Sequence, residues 1–389
     1  MKIPEKINQH HYDVIIIGAG PAGMSCSLAL KESGLSVAVL EKAEFPRDKI
    51  CGDAIPGSVP GILNSLSPQY ANELDKFSAK TIISSCRVVA PNQTSFDYVF
   101  KNRGLVSARM VFDFFLYNLV KNHTSVKIFQ KHPVRDVRIG EKGIEVKIAG
   151  CEQSFSAEMV IGADGANAVS SGKLTATRKD PDHYSVAVRA YYENVAGMHP
   201  DRNEIHFLRD YLPGYFWIFP LPDNRVNVGF GMLFHTVKNK KVNLKKSLIS
   251  ILRSSQPLAG RFRDARLIGE IKGFGLPLGS RKTVISGERF LLTGDAASLI
   301  NPASGDGIGN AMISGVLAAD QIRACFRERN FSEGFMKTYE RNIQMKLGTE
   351  FRNQYLAGKL IGNRPWVLNL LVGAASGSGL WGKLLKKLF

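Results

Sequence analysis

The apolar pattern of the chain begins with Val14-Ile15-Ile16-Ile17, a short β-branched run of the kind buried on both faces of a sheet. It enters Gly18-Ala19-Gly20-Pro21-Ala22-Gly23, then an apolar helical stretch closing at Ser33-Gly34, and a second strand, Val37-Ala38-Val39-Leu40. The seventeen positions from Val14 to Leu30 carry no charge, but three glycines and a proline interrupt them. They read as strand, turn and helix rather than as a membrane span. Another apolar helical segment covers Val111 to Leu119, and short strands at Val160-Ile161 and Phe290-Leu291-Leu292 each run into a glycine turn. The segments near 77–100 and 179–282 instead alternate polar and apolar positions, as in Tyr184-Ser185-Val186-Ala187-Val188-Arg189-Ala190. That is the period of an antiparallel sheet with one solvated face. From 331 onward the period turns helical, with Phe335, Tyr339, Ile343 and Leu347 at i, i+4 spacing.

These elements predict an α/β protein: a Rossmann-like nucleotide-binding domain interleaved with an antiparallel-sheet substrate domain, followed by a helical C-terminal region. Because the nucleotide motifs bracket everything else, the first domain is expected to be discontinuous, over 1–76, 101–178 and 283–330. The substrate domain then takes 77–100 and 179–282, and the helical region 331–389. A length of 389 residues suits roughly two domains.

Composition changes this picture in two places. The five cysteines, 26, 51, 86, 151 and 325, are scattered and form no C-x-x-C pair. That argues against a disulfide framework, a zinc knuckle or an iron–sulfur module, and no metal site is expected. Charge is strongly basic: 51 Lys and Arg against 34 Asp and Glu give a net +17. Nine basic residues lie between Lys238 and Arg266 against the single Asp264, and no acid follows Glu350, whereas Arg352, Lys359, Arg364, Lys383, Lys386 and Lys387 do. Such a surface favours an anionic membrane or a phosphorylated substrate. No nucleic-acid motif accompanies it, so nucleic acid is not expected as a partner. The first twelve residues hold charges and no apolar core, which points to a cytoplasmic protein.

The glycine run carries the first chemistry. Glu41 closes the second strand 18 residues past Gly23 (41 − 23). Gly18 allows the tight turn, Gly20 the close approach of backbone to a pyrophosphate, and Gly23 close helix–strand packing. The helix start at Pro21-Ala22 supports phosphate charge, and Glu41 can accept hydrogen bonds from ribose hydroxyls. Strand, turn, helix, second strand and acid together specify a dinucleotide site. Gly377-Ser378-Gly379-Leu380-Trp381-Gly382 fits the same glycine string but has only seven residues after it, none acidic, and reads as a flexible turn.

Three further motifs follow in order: Ser107-Ala108-Arg109 at a helix start, Gly162-Ala163-Asp164-Gly165 at a strand end, and Gly294-Asp295-Ala296-Ala297 leading to Asn301-Pro302 and Gly305-Asp306-Gly307-Ile308-Gly309. This order resembles the FAD-binding fold of the para-hydroxybenzoate hydroxylase type. The resemblance implies noncovalent FAD, with Asp295 at its ribose, Arg109 at its pyrophosphate, and Gly305, Gly307 and Ile308 facing pyrophosphate and flavin. It extends the cofactor contacts to Lys42, Arg47, Asp164, Gly165 and Gly294. Within that fold, Tyr215-Phe216-Trp217-Ile218-Phe219-Pro220, eight residues, then Gly229-Phe230-Gly231 is similar to the Y-x-W-x-F-P-x8-G-x-G pattern of the geranylgeranyl reductase family. Arg47-Asp48-Lys49-Ile50-Cys51-Gly52 resembles that family's cysteine–glycine loop near the flavin, with one departure: Asp53 stands where a further glycine is expected.

The function implied is reduction of carbon–carbon double bonds in a prenyl or similar lipid by reduced FAD. Alternating Tyr215, Trp217 and Phe219 on one strand face, with Pro220, Gly229 and Gly231, suit a slot for an extended apolar chain. An isolated alkene accepts hydride poorly, so a proton donor must act with the flavin. Cys51 is the first candidate and Tyr215 the second, with Trp217 beside them. NAD(P)H or another carrier is expected as transient reductant, since no second complete dinucleotide motif appears. The alternatives are a flavin monooxygenase or halogenase acting on an aromatic, where an essential lysine has no clear place because Lys49 lies in another motif, and a quinone-linked dehydrogenase. The basic, apolar-interleaved tail Lys383–Phe389, with Trp366 to Leu371, predicts peripheral attachment to the inner face of an anionic membrane.

Overall fold

A computed structural model describes residues 9–140, 143–150, 154–175, 177 and 180–377. The tail Lys383–Phe389, most of the second glycine string and Cys151 lie outside the described residues. Two eight-stranded sheets organise the rest. In the first, the run through Val14–Ile17 becomes the central strand Gln9–Ile17, flanked in parallel by Val37–Leu40 and Ser154–Gly162. Phe290–Leu292 and Lys127–Phe129 extend it in parallel on either side, and Ser286–Gly287 closes one edge. The hairpin Val134–Gly140 with Gly143–Ile148 attaches antiparallel to Ser154–Gly162. Val14, Ile15 and Ile16 have no solvent exposure, as expected of a parallel strand covered on both faces. The helices Pro21–Ala29 and Ile308–Glu328 pack on this sheet and on each other, and their fully buried Met24, Met312 and Ala318 belong to its core.

The parallel strands end together, at Ile17, Leu40, Gly162 and Leu292, so every glycine motif emerges at one edge. Open α/β sheets bind ligands in the crevice beyond the carboxyl ends of their strands.

The second sheet runs Arg266–Pro277, Tyr184–Glu193, Arg225–Leu233, Tyr215–Pro220, Arg202–His206, Thr81–Val89, Ser95–Val106 and Ala54–Ile55. All neighbours are antiparallel except Arg202–His206 against Thr81–Val89. Its extent crosses the expected segments at one place. Ala54–Ile55 pairs with Leu105 and Val106, so the sheet reaches into the segments 1–76 and 101–178. The pairing puts the turn Cys51–Gly52–Asp53, which leaves the first sheet, directly onto the second.

The C-terminal helical period is present. Glu333–Ile343 buries Met336, Tyr339 and Ile343, and the Tyr339 hydroxyl donates to the Leu292 carbonyl at 2.8 Å. A π-helical turn at Gln344–Gly348 buries Leu347, and the helices Thr349–Ile361 and Pro365–Ser376 follow. Val372 and Ala375 cover Cys86, Val88 and Phe96 of the second sheet.

Candidate functional site

At the carboxyl edge of the first sheet, each glycine of the first motif meets a different surrounding. Gly18 has φ +102°, and a Cβ there would lie 2.4 Å from the Ala163 carbonyl oxygen. A Cβ on Gly23 would lie 2.0 Å from the Gly18 carbonyl oxygen. A Cβ on Gly20, which caps the helix Pro21–Ala29, would meet nothing within 4 Å. Two glycines are therefore required by the protein's own backbone, and the third borders open space at a helix N-terminus. Glu41 is buried, accepting from the backbone N–H of Ala19 at 2.9 Å and of Ala43 at 3.0 Å. It thereby holds the glycine turn in shape; Lys42 beside it is exposed.

Positive charge stands next to this turn. The Arg47 guanidinium donates to the Ala19 carbonyl at 3.3 Å and to Asp113 at 2.8 Å, with Glu41 3.4 Å away. Arg109 opens the helix Arg109–His123 and binds Asp113, one turn on, through two bonds of 2.6 and 2.9 Å. Asp113 has no solvent exposure and joins both arginines. Burial opposes the Arg109 charge, yet Asp113, and then the Cys51 sulfur, hold its pKa above the ordinary guanidinium value.

The other strand ends divide in role. Asp164 spends its carboxylate on its own helix, accepting from the N–H groups of Val169 at 2.6 Å and Ser170 at 3.0 Å and from the Ser170 hydroxyl. It shapes the turn at Gly165 (φ +83°). Asp295 sits in the turn after Phe290–Leu292, where the Gly294 N–H donates to Ser314 Oγ at 2.9 Å. The Lys49 ammonium lies 4.0 Å from Asp295 and 3.5 Å over the Phe274 ring; burial lowers the lysine pKa, and Asp295 counters it. Gly307, the cap of Ile308–Glu328, adjoins Asp295: a Cβ there would lie 3.4 Å from its Oδ1. Asp306 accepts from the N–H of Ile308 at 3.1 Å, and burial pushes its carboxyl up to about 6. Gly165, Asp295, Ser298, His183 and Arg281 share one cleft.

The second sheet faces this edge with its aromatic strand. Tyr215, Trp217 and Phe219 share one face, with ring centroids 6.0 and 6.2 Å apart. Trp217 is paired with Gly229, and a Cβ there would lie 1.9 Å from its ring, so the indole lies flat over the neighbouring strand. Gly231 is paired with Tyr215, but a Cβ there would first meet Ala187, at 3.2 Å, rather than the Tyr215 ring. Trp217 and Phe219 are nearly buried, packed with Ile83, Val106 and Leu221, and Pro220 is buried at the strand end. Their inner edge meets Gly52, whose added Cβ would sit 3.4 Å from the Phe219 ring and 3.5 Å from Trp217 Nε1. Tyr215 alone of the three is half-buried rather than buried, and its hydroxyl donates to the Ser304 carbonyl at 2.9 Å, beside Gly305 (φ +72°). The slot expected from the alternating rings is thus a wall of two packed rings with its open end at Tyr215.

Cys51, the residue before Gly52, is half-buried against the core of the first sheet. Burial raises its thiol pKa, outweighing Arg109, which lowers it, so the sulfur carries its proton at neutral pH. Cys26, Cys86 and Cys325 are buried packing residues.

The structure adds residues that the sequence did not single out. Asp113 lies four positions after Arg109, a spacing that puts both on one helix face. Asn227, a lone polar side chain in the apolar run Val226–Phe230, is fully buried and accepts from Trp217 Nε1 at 2.9 Å. Tyr191 reaches in from Tyr184–Glu193.

The residues present fit FAD. An open helix N-terminus beside Gly20, the Arg47 guanidinium at the glycine turn with Arg109 joined to it through Asp113, and an acid at another strand end of the same edge suit a pyrophosphate and a sugar hydroxyl. A family profile described as an FAD binding domain matches residues 13–48. Among curated relatives, digeranylgeranylglycerophospholipid reductase 2 of Methanopyrus kandleri is 29% identical over 357 residues, 90% of this chain and 86% of the relative. Menaquinone reductase of Mycolicibacterium smegmatis is 28% identical over 330 residues, 79% and 75% of the two chains. A geranylgeranyl bacteriochlorophyll reductase-like protein of Thermoplasma acidophilum superposes with a TM-score of 0.84 at 23% identity, over 98% of this chain and 96% of that one.

Proposed function

We propose that this chain, an FAD-dependent oxidoreductase of the geranylgeranyl reductase type, reduces isolated carbon–carbon double bonds in the prenyl chains of a lipid. The observation that carries the reading is the Cys51–Gly52 turn laid against Trp217 and Phe219 with Arg109 behind it. In this reading the first sheet and its helices form the FAD-binding part and the second sheet the substrate part. Gly20, Pro21 and Ala22 take the pyrophosphate with Arg47 and Arg109, Asp295 takes a sugar hydroxyl, and Gly305, Gly307 and Ile308 border the flavin.

When bound, reduced FAD supplies the hydride, and a nicotinamide nucleotide or another carrier replenishes it. The chain supplies orientation, dryness and the proton. Saturating one alkene takes a hydride at one carbon and a proton at the other. Cys51 is the donor, because burial keeps its thiol protonated and the adjoining Arg109 guanidinium stabilises the thiolate left behind. Tyr215, whose hydroxyl is turned to Ser304 and whose pKa burial pushes up to about 12, orients the 304–305 turn instead. The aromatic wall offers an extended apolar chain a dry face, where each buried CH₂ contributes roughly 0.8 kcal/mol. The lipid reaches the protein at a membrane surface. Among the described residues no helix is long and apolar enough to cross a membrane. The helices Thr349–Ile361 and Pro365–Ser376 nevertheless expose Leu356, Leu360, Trp366 and Leu370 beside the exposed Arg352, Lys359 and Arg364. That mixture suits reversible contact with an anionic leaflet.

The test uses the FAD-loaded protein, reduced without oxygen and mixed with a digeranylgeranylglycerophospholipid or with menaquinone. Reoxidation of flavin with the first, and a gain of two hydrogens per reduced double bond in the recovered lipid, is the expected result. Reoxidation only by menaquinone would move the substrate assignment. Reoxidation only by oxygen with an aromatic present would favour monooxygenase or halogenase chemistry. Cys51→Ala is expected to keep FAD and lose roughly 100-fold in the rate of substrate-driven reoxidation, the scale of a positioned general acid. An unchanged rate would return Cys51 to packing.

A further inference from the structure

Asp53 is the position where the chain carries an acid in place of an expected glycine. Its backbone has φ +65°, the left-handed region that glycine adopts freely and that aspartate tolerates better than most residues. The side chain has no solvent exposure. Three donors converge on it from three elements. Tyr191 Oη on the strand Tyr184–Glu193 and Asn227 Nδ2 on Arg225–Leu233 donate to Oδ2 at 2.7 and 2.8 Å, and the Arg109 N–H donates to Oδ1 at 3.2 Å. The same Asn227 amide group donates to the Cys51 carbonyl at 2.8 Å, while its oxygen accepts from Trp217 Nε1. The Asp53 N–H in turn bonds the Cys51 sulfur. One carboxylate therefore ties the turn bearing the proposed acid to the indole of the opposing wall.

We propose that Asp53 is a positioning residue whose ionised carboxylate clamps the Cys51 turn to the Trp217 wall and so sets where the Cys51 proton is presented. The proposal rests on the double-bond reductase reading for the identity of the reaction, but not for the existence of the clamp. All three groups facing the carboxylate are donors, and an ionised carboxylate only accepts. Protonation would place a fourth hydrogen among them and either break one bond or reverse the one from the Tyr191 hydroxyl, which can also accept. Only the ionised form accepts from all three.

The charged and titratable surroundings fix the pH at which this happens. Burial pushes the Asp53 carboxyl up to about 6, and the bonds from Tyr191 and Asn227, with the charge of Arg189, hold it from rising further. Arg189 is itself buried, stacked 4.1 Å from the Tyr191 ring centroid and ion-paired with Asp48. Burial raises the Tyr191 phenol, so it stays a donor, and the Cys51 thiol stays neutral through this range. The sign follows: the clamp is open below about pH 6 and closed above it. The rate of substrate-driven flavin reoxidation should therefore rise through that pH and level off.

The experiment compares wild type, Asp53→Asn and Tyr191→Phe as FAD-loaded proteins, with two readouts. In single-turnover reoxidation by digeranylgeranylglycerophospholipid, Asp53→Asn should be about 10- to 100-fold slow at pH 8, the scale of misplaced reacting groups, and should lack the arm near pH 6. Tyr191→Phe removes a donor that favours the ionised form, so its arm should move to higher pH. The second readout needs no substrate. Alkylation of Cys51 by iodoacetamide, mapped by mass spectrometry, should be severalfold faster in Asp53→Asn at pH 8, because a nearby negative charge that raises the thiol pKa is gone. Cys26, Cys86 and Cys325 should stay unlabelled and report that the fold is intact. An arm near pH 6 that survives in Asp53→Asn, or a Cys51 alkylation rate equal to wild type, overturns the clamp. Failure of wild type to react with the lipid overturns the substrate reading, and the alkylation arm still decides the clamp.

Discussion

The two sheets carry their chemistry in different materials. At the carboxyl edge of the first, the work falls to backbone: Gly18 makes room for the Ala163 carbonyl of a neighbouring strand end, Gly23 for the Gly18 carbonyl of its own turn, and Gly20 leaves a helix end open. On the second, it falls to side chains that meet across strands, with Trp217 held by Asn227 and seated on Gly229. Backbone recognition needs residues that lack a Cβ, and such residues come in short glycine strings at strand ends. Side-chain recognition assembles from segments as distant as Asp53, Tyr191 and Asn227. Asp113 belongs to neither sheet and joins the arginines serving both.

That junction gives the largest expected effect. Asp113→Ala leaves two guanidinium groups, one of them almost fully buried, without their shared carboxylate. Removing one partner of a buried charge pair costs about 3–5 kcal/mol, and denaturant unfolding of the FAD-free protein should show a loss of that order. A loss under about 1 kcal/mol, the scale of an exposed ion pair, would mean that Arg47 and Arg109 find other partners, and the two regions would not share a hinge of charge.

Gly20→Val and Gly229→Val separate the two materials. The first adds a branched side chain where the protein itself has nothing within 4 Å. It should leave the unfolding of the FAD-free protein unchanged while weakening FAD at least about 100-fold, near 3 kcal/mol by flavin titration. Wild-type affinity in Gly20→Val would remove the pyrophosphate from this helix start. Gly229→Val does the reverse: its Cβ would overlap the Trp217 ring, and overpacking of this kind costs about 1–3 kcal/mol of stability. FAD should remain bound and lipid-driven reoxidation should fall, because the wall moves. Equal loss of FAD in both variants would erase the distinction.

The same contrast explains what could be read from the sequence. Strand, glycine turn, helix, second strand and Glu41 were legible because parallel strands and phosphate turns are local patterns, and the structure places them together at one edge. The carboxylate roles were less legible. Glu41 is engaged by an N–H of the glycine turn and Asp164 by N–H groups of the helix that follows it, which no spacing reveals. The aromatic period correctly put Tyr215, Trp217 and Phe219 on one face, but how deeply two of them are packed depends on Ile83, Val106 and Leu221 from other segments. That the second sheet takes in Ala54–Ile55 was not legible, because a two-residue strand has too little pattern to announce itself. Asp53 could be seen only as a departure, since its meaning lies in three donors contributed by residues 109, 191 and 227.

The smallest expected effect lies away from both sheets, on the helices Thr349–Ile361 and Pro365–Ser376, and it asks whether the apolar wall is supplied from a bilayer. Trp366 is 65% exposed and Leu370 64%, one helical turn apart, so both can enter the same interface. Full burial of such side chains contributes about 1.5–3 kcal/mol each, and partial insertion less, so Trp366→Ala with Leu370→Ala should weaken vesicle binding by roughly 1–2 kcal/mol. The basic residues Arg352, Lys359 and Arg364 add about 1 kcal/mol each near an anionic leaflet and are screened by salt. Cosedimentation should therefore show binding to anionic vesicles that salt weakens, and a double variant that is weaker still but equally salt-sensitive. Turnover of lipid dispersed in detergent should not change in that variant, because no bilayer has to be met. If wild type binds anionic and neutral vesicles equally poorly, these exposed side chains face another surface, and the lipid must be delivered by a different route.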